Sequence, residues 1–85
     1  MNELKKRLEE LERLEAIADQ ADAEMMADPE NAEKEAAFDV AYQAEHNAFM
    51  AATEHIAKLA DGKIDIKTAR EMVRAKRNEI LALLA

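Results

Sequence analysis

Eighty-five residues carrying a formal net charge of −7 leave room for one domain, and surface-to-volume scaling makes such a domain marginal unless it packs well or associates. Nineteen of the apolar residues are alanine and only Phe38, Tyr42 and Phe49 are aromatic, so the core must be thin and self-association is expected. The absence of cysteine excludes disulfides, thiol nucleophiles and thiolate metal sites. No apolar stretch approaches membrane-spanning length, and Met1 runs into a charged segment with no apolar signal region behind it, so no membrane association and a cytoplasmic location are expected.

The first expected helix runs from about Asn2 to Ala27. Leu4, Leu11, Ala18 and Met25 recur every seven residues, with Leu14 and Ala21 at the companion position and Leu8 and Ile17 beside them, a short coiled-coil-like seam. Asp28-Pro29-Glu30 then reads as an N-cap, a proline at the first helical position and an acid in the first turn. The second helix is expected from about residue 29 to 60. Phe38, Tyr42, Phe49, Ala52, Ile56 and Leu59 form one stripe, and Ala37, Ala41, Ala44, Ala48 and Ala51 form another that admits a close neighbour. This helix is long enough that it must either break in the polar Gln43 to Asn47 stretch or leave surface uncovered. Asp61-Gly62 supplies the stop, and Asp65 caps a third helix over about 65 to 84, with Ile64 placed to staple onto Ala69. Short connections make consecutive helices antiparallel neighbours, which predicts an all-α fold for residues 1–85: a single-domain, three-helix, up-down-up bundle.

Enzyme chemistry finds no footing in these residues. His46 and His55 lie nine positions apart, on opposite helix faces, and neither has a histidine or acid partner three or four residues away in the manner of a zinc-binding helix. Serine is absent, Thr53 and Thr68 have no base nearby in the helical pattern, and one glycine cannot build a phosphate-cradling loop. No catalytic, cofactor-binding or metal-ligating residue is expected, and the chain is read as a non-enzyme.

Charge carries the positive signal. Between Glu15 and Glu54 eleven acids face a single base, Lys34, whereas the last twenty-five residues hold six bases against four acids. Glu12, Glu15, Asp19 and Asp22 fall on one edge of the first helix and form an acidic ridge. Lys63, Lys67, Arg70, Arg74 and Arg77 recur along one edge of the third helix and the turn before it. The overall negative charge and the lack of aromatics beside those bases disfavour direct nucleic-acid binding, so the bases are expected to pair with acids of the first two helices, within the chain or across a dimer. Leu81, Leu83 and Leu84 crowd the C-terminal turns on more than one side, so either the end of the third helix tucks between the first two or a second copy or other partner covers them. Met25, Met26, Met50 and Met72 read as adaptable core filler.

The function expected is therefore non-catalytic protein–protein binding, with self-association through the first-helix seam and the C-terminal leucines. The alternative is an acidic inhibitor of the phage or mobile-element type, anti-restriction or anti-CRISPR-like in size and charge alone. Its ridge would imitate phosphates and block the surface of a basic nucleic-acid-binding partner.

Overall fold

The computed structural model describes residues 3–84, and Asn2, the expected first residue of the first helix, lies outside them. Four helices follow one another: α1 (Glu3–Ala27), α2 (Ala32–Leu59), α3 (Ile66–Ala75) and α4 (Arg77–Leu84). The all-α class is as expected, but the described residues form four helices where three were predicted. α1 and α2 form a long antiparallel hairpin, and α3 and α4 pack against one side of it in a molecule 47 × 24 × 19 Å across.

The α1–α2 turn differs from its sequence reading by three residues. Pro29 sits inside a turn closed by the Asn31 N–H donating to the Asp28 carbonyl at 3.1 Å, and the N-cap of α2 is Asn31. The Asn31 Oδ1 accepts from the N–H groups of Glu33 (3.0 Å) and Lys34 (3.3 Å). A fixed φ suits proline to the second position of a tight turn as well as to the first turn of a helix, and asparagine caps as effectively as aspartate. Asp28 closes the turn from outside the helix, accepting from Asn31 Nδ2 at 3.2 Å and lying 3.9 Å from Lys34 Nζ.

α2 is continuous. The polar stretch where a break was considered is spanned by Gln43 Nε2 donating to Asn47 Oδ1 at 3.1 Å, one turn apart on the helix surface. At its far end Asp61 (φ 51°) and Gly62 (φ 81°) both adopt left-handed backbone, and the Lys63 N–H closes onto the Ala60 carbonyl at 3.1 Å. A Cβ at Gly62 would meet no atom within 4 Å, so glycine serves the backbone there and not the packing.

Asp65 caps α3 through its carboxylate, which accepts from the Thr68 N–H at 2.7 Å. That bond holds the Asp65 carboxyl below the usual carboxylate range, because it stabilises the ionised form. The single helix expected over 65 to 84 is interrupted at Lys76 (φ −121°, ψ 12°), with neither proline nor glycine at the bend. The Lys76 N–H still reaches the Met72 carbonyl and its own carbonyl accepts from Ile80, each at 2.9 Å, so one residue steps out of helical geometry while the chain continues. Bending there turns Ile80 and Leu81 onto the core and swings Arg77 against α1.

The core occupies one end of the hairpin. Leu8 and Leu11 of α1, Ala52 and Ile56 of α2, and Ala69 and Val73 of α3 form the buried cluster, with Leu4, Phe49, Ile64, Met72 and Ile80 among its half-buried border. Toward the α1–α2 turn only Ala18 is buried. The seam of α1 is thus filled from Leu8 to Ala18, while Ile17, one position away, stays 45 % exposed.

Candidate protein-binding surfaces

The acidic ridge lies on the flank of α1 approached by α4, and the structure divides it. Arg77, at the first position of α4, places Nη1 2.6 Å from Glu15 Oε1 and Nε 3.7 Å from Glu12 Oε1. None of the ion pairs among the described residues engages Asp19 or Asp22, which are exposed. Glu45 of α2 stands close to this group, and its carboxyl is pushed above the usual range, first by loss of solvation and then by repulsion from Glu15 and Asp19.

The basic stripe of the third helix is split as well. Arg77 pairs with α1, and the Arg74 guanidinium lies 4.9 Å over the Phe49 ring. Lys63, Lys67 and Arg70 point to solvent. A shallow cleft between these parts is lined by Glu15, Tyr42, Glu45, His46, Phe49 and Arg74. Tyr42 is 54 % exposed at its rim and its ring centroid lies 5.9 Å from that of Phe38.

The C-terminal leucines do not form one surface. Leu81 packs against the core, Leu84 is half-buried, and Leu83 alone is open at 86 % exposure. His46 lines the cleft beside Arg74, whereas His55 sits in a separate depression with Arg7, Ala51, Glu54 and Lys58. Among the described residues no group of three or more His, Cys, Asp or Glu side chains could hold a metal ion, and no helix is long and apolar enough to cross a membrane.

Of the two outcomes open for the long second helix, a break or an uncovered surface, the structure shows the second, as a groove between α1 and α2 along the alanine stripe. Leu14 and Ile17 form one wall, Ala36, Ala37, Val40, Ala41 and Ala44 the other, and the depression is shallow and open to solvent, with a volume of about 530 Å³. It continues toward the turn past Gln20, Ala21 and Glu24, and a further depression beside Ala48 and Ala51 extends it toward the core end. Val40 is 72 % exposed at its rim. The signal available in the sequence was the alanine stripe itself, which was read as the seat of a neighbouring helix. α1 takes one side of that seat, and among the described residues no helix fills the other.

No protein-family model, no curated protein and no solved structure matches this chain.

Proposed function

We propose that this protein is a non-catalytic binding module that works by stoichiometric protein–protein contact, its contact surface being the half of the α1–α2 hairpin that α3 and α4 leave uncovered. One observation carries the reading: Ile17 and Val40, both large and apolar, are exposed along one groove in a half of the molecule whose only buried residue is Ala18. Apolar side chains grouped on a small protein in this way mark an interaction surface. The test is quantitative affinity capture with the tagged chain in its native host, comparing wild type, the Ile17→Glu/Val40→Glu double variant, and Ala23→Lys as a surface control. Loss of the captured proteins in the double variant alone is expected. Identical capture by all three would overturn the reading.

A second reading, the phosphate-mimicking inhibitor of a basic nucleic-acid-binding protein, is supported by Asp19 and Asp22, which stay exposed while Arg77 engages Glu12 and Glu15. Asp19→Lys with Asp22→Lys tests it without disturbing the Arg77 contacts. Under this reading binding to the basic partner falls at least tenfold and weakens steeply with salt; an affinity within about threefold of wild type would remove it.

A further inference from the structure

The groove lined by the alanine stripe has a self-complementary layout. Its α2 wall runs from Ala37 to Ala51, about 21 Å at the helical rise per residue, with Ala44 at the midpoint. Turned end for end about Ala44, the wall sets Ala37 against Ala51 and the exposed Val40 against the small Ala48. Large then meets small, as close helix packing requires.

Charge selects the same orientation. Glu24 and Glu33 line the groove toward the α1–α2 turn. Toward the core end the rim is balanced: Arg7 is 3.1 Å from Glu3, Arg13 Nε is 3.0 Å from Glu10, and among the described residues neither Lys6 nor Glu9 belongs to an ion pair. Ile17 lines the groove together with Ala41 and Arg7 together with Ala51, and in an antiparallel hairpin that places Ala44 near the level of Leu14. A two-fold axis there brings Lys6 to within two residues, about 3 Å along the helix, of Glu24 of a second copy, and Lys58 to the level of its Glu30. A parallel arrangement would instead set the acids near one turn against those near the other, and like charges in contact disfavour it.

We infer that the groove is the interface of a homodimer in which two copies pack antiparallel about an axis at Ala44, their hairpins forming a four-helix bundle. This rests on the protein-binding reading above and names the occupant of that surface. The smallest specific interfaces bury on the order of 1,200 Å² in total, the area that two copies sharing this face must reach. α3 and α4 remain on the outside of the bundle, and the unpaired Asp19 and Asp22 are displayed twice.

The absence of native cysteine makes the register directly testable. Light scattering of the wild type is expected to give twice the chain mass at micromolar concentration, and Val40→Glu, at a position exposed in the single chain, to give the monomer with unchanged helical circular dichroism. Under mild oxidation A44C is expected to cross-link to itself. V40C alone is expected to stay reduced, yet to cross-link when mixed with A48C. A monomer persisting to several hundred micromolar, or a dimer in which A44C stays reduced, would overturn the proposal. If the wild type is a monomer but Ile17→Glu/Val40→Glu still abolishes capture of other proteins, the dimer fails and the binding reading stands. If capture is also unchanged, both fail.

Discussion

Thr53 brings a hydroxyl to full burial on the side of α2 that meets the core, and its Oγ1 has no hydrogen-bond partner in the structure. A buried, unpaired polar atom costs more than the apolar group of the same shape that could replace it. Thr53→Val is therefore expected to stabilise by about 1 kcal/mol in urea or thermal unfolding; a loss of stability would show that the hydroxyl finds a partner in solution. Glu45 offers a second residue-scale test. Its carboxyl is raised above its ordinary value, so the folded state holds the proton more tightly than the unfolded chain does. The associated stability is fully present below the ordinary carboxylate range and is lost as pH rises through the raised value. Glu45→Gln should accordingly raise the melting temperature at pH 7, with the gain shrinking to nothing in acid. Asp65, lowered by its cap bond, has the opposite sign: its contribution is present at neutral pH and disappears as pH falls through the lowered value. A melting temperature for Glu45→Gln equal to wild type at pH 7 would mean that the Glu45 carboxyl stays solvated in the folded state and screened from Glu15 and Asp19.

Elements announce themselves through caps and turns, and most of that chemistry was legible. The stop at Asp61-Gly62 and the Asp65 cap follow from residue types that suit left-handed backbone and a free N–H. The start of α2 was misplaced because Asp28-Pro29 and Asn31 are both competent to begin a helix, and local chemistry ranks them nearly equal. Asn31→Ala is expected to cost about 1 kcal/mol, the usual loss for a cap, and Asp28→Ala about half that, since Asp28 holds only the exposed turn. Equal losses measured by denaturant unfolding would return the cap to Asp28. The break at Lys76 carries no such local signal. It is imposed from outside the segment, by the gain from seating Ile80 and Leu81 on the core and Arg77 between Glu12 and Glu15. The apolar contacts drive the bend, and the half-buried Arg77, paired with Glu12 and Glu15, fixes its direction.

At the scale of the whole molecule the core is gathered at one end, which makes the consequences of truncation unequal along α1. Leu11→Ala removes a fully buried side chain and is expected to cost about 2 to 5 kcal/mol, a large part of what a chain of this size possesses. Ile17→Ala, six residues away on the same helix, should change monomer stability by less than about 0.5 kcal/mol. Urea unfolding of both at dilute concentration checks this, and comparable losses would mean that the uncovered half of the hairpin is packed as tightly as the core end. The sequence by itself determined the helical class, the order and approximate ends of the first two helices, the polarised charge and the lack of recognisable catalytic motifs, because periodicity, capping and composition act along the chain within a few residues. Only the tertiary structure decided that Ala18 is buried while Ile17 is not, that Arg77 takes Glu12 and Glu15 and leaves Asp19 and Asp22, that Leu81 and Leu83 part company, and that one wall of the alanine stripe stays open. Those outcomes turn on which of several similarly apolar helix faces α3 and α4 settle against, a choice among long-range contacts that no local pattern encodes.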